Sequence, residues 1–118
     1  MKTRKILIGI VLVIIGLPVV LVLLAVVTIS VLDRTSGGIT SSSDTREYLL
    51  HVPDSYDAAE PTPLVISMHA GATWPAHQMN LSRWNRLADE YGFIVVYPSG
   101  TPQLFNLVRI WQTMPEGV

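Results

Sequence analysis

Chemistry-bearing residues are sparse in this chain, and the best placed of them close an uncharged run: Leu64 to Met68 leads directly into His69, Ala70 and Gly71. Small residues between a strand and a helix leave backbone N–H groups open to an incoming oxygen, where they can stabilise a developing negative charge. One such donor is worth about 3 to 4 kcal/mol in enzymes that depend on it, and a helix N-terminus behind it adds a favourable partial charge. A tight strand-to-helix turn needs small residues for steric reasons too, so the turn alone leaves both readings open. Dinucleotide binding is disfavoured because Gly71 stands without the rest of a G-x-G-x-x-G pattern, and the absence of G-K-[ST] excludes a P-loop.

The other candidates are weaker. His51 lies on the polar face of an expected strand and His77 opens an expected helix, which makes both surface residues. Together with His69 they lack a metal-ligand spacing, and the chain has no cysteine. No metal site is therefore expected from them. Trp74, just after the turn, is placed either to rim an acyl or aromatic pocket or to pack as an ordinary rim residue. Asn80-Leu81-Ser82 is a glycosylation sequon, but it falls in an expected helix.

These residues need elements to hold them. Arg46 to Val52 alternates Tyr48, Leu50 and Val52 against Glu47, Leu49 and His51, which suits a strand near a sheet edge with the first set inward. Asp54 to Pro63 is built of turn formers. Leu64 to Met68 and Phe93 to Tyr97 are apolar without alternation, the pattern of parallel strands covered on both faces. Between them Trp84, Leu87, Ala88 and Tyr91 make one helical stripe, and Gly92 stands where a C-cap glycine belongs.

Strand, helix and strand in that order predict a βαβ unit in a mostly parallel sheet, with ligands expected beyond the carboxyl ends of its strands. Both His69-Ala70-Gly71 and Pro98-Ser99-Gly100 then lie on one rim. The packing does not close, because two buried-type strands need cover on both faces and the sequence offers one amphipathic helix. The residues after Pro102 show no further helical stripe. We therefore expect 45–118 to be part of a larger α/β domain, or to be completed by a partner.

The N-terminal quarter is of another kind. Residues 1–5 carry Lys2, Arg4 and Lys5; 6–32 are 27 residues without a charge; 33–44 are mostly Ser, Thr and Gly. As a helix, 6–32 would be roughly 40 Å long against a hydrocarbon core of about 30 Å. Its Leu, Ile and Val side chains, about twenty at roughly −0.3 to −0.6 kcal/mol each, favour insertion into a bilayer. The expectation is a single-pass transmembrane anchor in the lipid bilayer with a cytoplasmic N-terminus, a flexible linker at 33–44, and an extracytoplasmic domain. Secretion after cleavage of a signal peptide is the alternative, although the apolar run is about twice the usual 7 to 15 residues. Nine acids and five arginines after residue 32 leave no basic face for nucleic acid.

Two blocks, TREYLLHVPDSYDAAEPTPLVISMHAGATW and MNLSRWNRLADEYGFIVVYPSGT, resemble the N-terminal portion of α/β-hydrolase serine esterases of the poly(3-hydroxybutyrate) depolymerase and feruloyl esterase group. The features are Val52-Pro53, Tyr56, Pro63-Leu64-Val65, His69, and Leu87 to Pro98, and Trp111 is similar to a tryptophan found after the fourth strand in some members. The resemblance implies that the turn after His69 is the oxyanion-hole loop. Gly71 would then supply the backbone N–H, Ala72 the next amide in line, and His69 would shape the loop without joining the catalytic triad. Ala70 stands where the family has Gly. The family's Ser sits on a G-x-S-x-G elbow, followed by Asp or Glu and then His, and no G-x-S-x-G occurs in the 118 residues. The resemblance implies no metal or organic cofactor and, as substrate, a polyhydroxyalkanoate oligomer, a feruloyl or acetyl sugar ester, or a small acyl ester; the chain alone is expected to be an inactive part of such a carboxylic ester hydrolase. A non-catalytic, membrane-tethered binding or pairing module is the second reading; a flavodoxin-like or nucleotide-binding half, the third, would require a phosphate-cradling glycine loop that the sequence does not show.

Overall fold

The computed structural model describes residues 2–41 and 43–112. The end of the expected domain, 113–118, lies outside them. The chain divides into two units between Val31 and Leu32.

The first unit is helical: α1 (Lys2–Val11), a π-helical turn (Leu12–Gly16) and α2 (Leu17–Leu32). The wide turn has a cause in the sequence. Pro18 lacks an N–H, and its ring crowds the carbonyl four residues back, at Ile14, so the ladder loosens there. Thr28 and Ser30, the two hydroxyls within 6–32, donate to the Leu24 and Val26 carbonyls at 2.8 and 2.9 Å, which satisfies them within the helix. Lys2–Leu32 forms one helix of 31 residues, long and apolar enough to cross a membrane, and none of its residues is buried. It fits a membrane anchor or a signal sequence equally.

The second unit is a mixed α/β structure. Its main sheet has the order β1-β2-β4-β3, built from β1 (Gly37–Ser41), β2 (Asp44–His51), β3 (Leu64–Ile66) and β4 (Ile94–Pro98). β3 and β4 are parallel neighbours joined through α3 (Pro75–Ser82) and α4 (Trp84–Tyr91), which is the βαβ unit expected from the sequence. The sheet as a whole is less parallel than expected, since β1, β2 and β4 pair antiparallel. The Ser- and Gly-rich segment 33–44, expected to be a flexible linker, supplies β1. Two bonds hold its start: the Ser36 amide donates to the Tyr48 carbonyl and the Ser36 hydroxyl accepts from the Leu50 amide, both at 2.8 Å.

One helical stripe was expected, and two helices are found. Arg83 adopts a left-handed conformation at φ 56, which ends α3 and turns the chain into α4. Trp84 and Tyr91 consequently lie at the margins, 36 % and 69 % exposed, while Ala88 is fully buried. Trp84 packs edge-on against Phe93. Gly92 takes φ 71 at the C-cap of α4, as its position predicts.

The core lies on one face of the sheet, where Leu49, Val95 and Tyr97 meet Ala76 of α3 and Ala88 of α4. Leu49, not Leu50, is therefore the inward residue of β2, which reverses the expected phase. The register explains it: Leu49 pairs with the buried Tyr97, and Leu50 with Val96 on the opposite face. The Tyr97 hydroxyl donates to the Asn85 side chain at 2.7 Å. On the opposite face Leu50, Val52, Leu64, Ile66 and Met68 are each more than 40 % exposed. Among the described residues, none covers this face.

Candidate functional site

The candidate site is built where β3 and β4 end. The His69 ring is buried, and its two nitrogens have different partners. Nδ1 lies 2.7 Å from the Ala70 carbonyl, and Nε2 lies 3.1 Å from the Gly100 amide. A backbone N–H can only donate, so Nε2 must offer its lone pair and Nδ1 carries the proton. His69 thereby joins the turn after β3 to the turn after β4, the two segments expected on one rim. Gly100 is required for this approach: a Cβ there would stand 2.5 Å from the Ile110 carbonyl oxygen.

The turn itself is closed by Thr73, whose amide and hydroxyl both donate to the Ala70 carbonyl, at 3.3 and 2.8 Å. Ala72 adopts φ 60, a left-handed conformation that costs an alanine roughly 1 to 2 kcal/mol. Its amide donates to the Arg109 carbonyl at 2.9 Å, and Thr73 forms a β-bridge with the same residue. The Ala72 amide, expected from the resemblance to be next in line for an oxyanion, is thus bonded to Arg109. Gly71 differs. Among the described residues its N–H has no acceptor, and nothing stands within 4 Å of where a Cβ would be.

A small hairpin, β5 (Thr101–Gln103) and β6 (Val108–Ile110), lies against this turn. It turns through Leu104, Phe105 and Asn106, all at positive φ, and Phe105 is almost wholly exposed. Three contacts join the hairpin and the residue after it to the turn. Arg109 holds Ala72 as described. Trp111 stacks on His69 with ring centroids 4.6 Å apart and donates its indole N–H to the His69 carbonyl at 2.7 Å. Trp74, the N-cap of α3, donates its indole N–H to the Leu107 carbonyl at 3.0 Å. Trp74 thus packs on the hairpin at the rim of the turn.

Arg109 is itself held. Its guanidinium forms two bonds to the Asp33 carboxylate, at 2.8 and 2.5 Å, with both side chains nearly buried. Hydrogen bonding to that carboxylate pushes the guanidinium pKa further above its ordinary value, against a smaller lowering by burial. A cleft of about 240 Å³ opens beside this pair, lined by Arg46, Glu47, Ser99, Thr101 and Arg109 among others. It is smaller than the roughly 300 to 1,000 Å³ of ordinary ligand sites. Its two guanidiniums are also engaged, Arg46 with Asp44 and Arg109 with Asp33. His51 bonds Asp89 at 2.7 Å across β2 and α4, away from the turn. Among the described residues, no group of three His, Asp or Glu side chains is placed to hold a metal ion.

The sequence pointed to His69, Gly71 and the Gly100 turn, and these come together. It gave no sign of Arg109 or Asp33, which act through long-range pairing. No family model matches the chain. Over 51 residues it is 39 % identical to the bifunctional acetylxylan esterase/xylanase XynS20E of Neocallimastix patriciarum. That stretch is 43 % of this chain and 8 % of the relative's length. The likeness points to an esterase-type domain at most.

Proposed function

We propose that residues 45–118 are the front part of an α/β-hydrolase serine esterase of the poly(3-hydroxybutyrate) depolymerase and feruloyl esterase kind. In this reading the Gly71 N–H is one donor of its oxyanion hole, and His69 fixes the turn that carries it. The observation behind it is the Gly71 amide, which has no acceptor among the described residues and lies in open space at the carboxyl end of a parallel strand. In the reaction an ester carbonyl would be attacked by a Ser hydroxyl on a G-x-S-x-G elbow, with His as base. The charge on the carbonyl oxygen would fall on the Gly71 amide and on the amide after the nucleophile. That elbow is not in these 118 residues, so this stretch alone would hold the oxyanion donor without the nucleophile.

The candidate substrates are a polyhydroxyalkanoate oligomer, a feruloyl or acetyl sugar ester, or a small acyl ester, and the relative's name supports the acetyl sugar ester among them. Residues 6–32 would anchor the protein in a bilayer with a cytoplasmic N-terminus and the α/β unit on the far side. The exposed face of Leu64, Ile66 and Met68 favours a second reading, a tethered module that pairs with another chain without catalysis.

The DNA following codon 118 separates the two. A reading frame that continues into G-x-S-x-G supports the esterase, and a native stop supports the pairing module. In a protein carrying that continuation, Gly71→Pro deletes the donor and should lower kcat on p-nitrophenyl acetate by about 10² to 10³. Unchanged kcat in a folded variant would refute the role given to Gly71.

A further inference from the structure

We infer that Asp33 and Arg109 are positioning residues for the turn at 70–73, and that their ion pair determines which amide of that turn stays free. The inference rests on the esterase reading for the purpose of the turn, but not for its geometry.

Ala72 is the strained residue of the turn, and strain of this kind persists only where the surroundings enforce it. The enforcement comes from one residue. Arg109 supplies the carbonyl that takes the Ala72 amide, and it forms the bridge with Thr73. β6, which carries Arg109, is a three-residue strand whose only partner among the described strands is β5, also of three residues. A ribbon that short is marginal by itself, so its position needs a further constraint.

Asp33 provides it. The carboxylate grips the guanidinium through two nitrogens, a planar fork that fixes orientation as well as distance. The pair spans 76 residues of sequence and is nearly buried, unlike the exposed pair of Arg46 and Asp44. Arg109 also faces Glu47, whose charge adds to the attraction without bonding it. The chain of constraint runs from the Asp33 carboxylate to the Arg109 guanidinium, then from the Arg109 carbonyl to the Ala72 amide. Its result is a left-handed Ala72 whose N–H is occupied and a Gly71 whose N–H, among the described residues, is not. If the grip is released, Ala72 can relax to negative φ and the distinction between the two amides is lost.

The test is amide hydrogen exchange on the full chain in detergent micelles, comparing wild type with Asp33→Asn. The expected result is a rise of roughly tenfold or more in exchange at Ala72 and Thr73, with the Val95 and Tyr97 amides of the core unchanged. Asp33→Glu should recover much of the protection. Arg109→Lys should not, because an ammonium cannot form the fork, and it provides the same comparison if Asp33→Asn does not fold. Exchange at Ala72 that stays at the wild-type rate, or rises only in step with the core amides, overturns the inference. The readout needs no ester chemistry, so a failure of the esterase reading would leave it standing, and the reverse.

Discussion

The indole of Trp111 both stacks on the His69 ring, at 4.6 Å between centroids, and bonds the His69 carbonyl at 2.7 Å. One side chain thus fixes the ring and the backbone of the residue that joins the turns after β3 and β4. Trp111→Phe keeps the stacking and loses the bond, and should cost about 1 kcal/mol. Trp111→Ala loses both and, with the indole only half-buried, should cost about 2 to 3 kcal/mol, below the values for fully buried aromatics. Urea unfolding followed by far-ultraviolet circular dichroism measures the difference.

Relieving the left-handed residue should stabilise the second unit. Ala72→Gly removes about 1 to 2 kcal/mol of strain and adds about 0.5 to 1 kcal/mol of chain entropy, a small net gain. Ala72→Val should be clearly destabilising, because a β-branched residue at positive φ is strongly disfavoured. The expected order of thermal midpoints is Gly, Ala, Val from highest to lowest.

Gly100 leaves no room for a side chain. With a Cβ 2.5 Å from the Ile110 carbonyl oxygen, Gly100→Ala must push β6 away from the turn after β4. Loss of stability and loss of the Trp111 near-ultraviolet signal should then occur together.

The two faces of the sheet should respond differently to substitution. Val95→Ala removes fully buried methyls and should cost about 2 kcal/mol, whereas Ile66→Thr, at 63 % exposed, should stay within about 0.5 kcal/mol. Paired unfolding curves test this. A large cost at Ile66 would mean that the face is covered in solution.

Alkaline pH should weaken the fold through Tyr97. Burial raises its phenol above the ordinary value of 10.0, outweighing the hydrogen bonds that lower it. Folding then favours the neutral phenol, so the stabilisation is complete below the ordinary tyrosine pKa and is lost as pH rises above it. Tyr97→Phe should remove that part of the alkaline sensitivity.

The sequence disclosed the βαβ unit because Leu64 to Met68, Phe93 to Tyr97 and the C-cap at Gly92 are local signals. It could not settle the phase of β2. Tyr48-Leu49-Leu50 is apolar in either alternation, and only pairing with Tyr97 and cover from α3 choose Leu49. The charge-free run before His69 looked buried on both faces, yet Leu64, Ile66 and Met68 are on the open face of an edge strand. β1 had no propensity to reveal it, since Gly37 to Ser41 becomes a strand by lying along β2. The hairpin was equally hidden: Leu104 and Phe105 carry no turn signal, yet both take positive φ in a loop closed locally by the Leu107 amide on the Leu104 carbonyl. At the site, His69 and Gly71 stood out by type and spacing, while the hold on their turn came from a carboxylate 76 residues before its partner.

The grip of Asp33 on Arg109 bears on how the protein can be shortened for crystallisation. A version that discards the greasy leader and starts at the first strand, Gly37, looks natural on paper, yet it would throw away the acid that steadies the hairpin. Its turn would be seen in a slackened form and the wrong amide judged available. Starting two or three positions ahead of Asp33 keeps the acid at little cost in solubility.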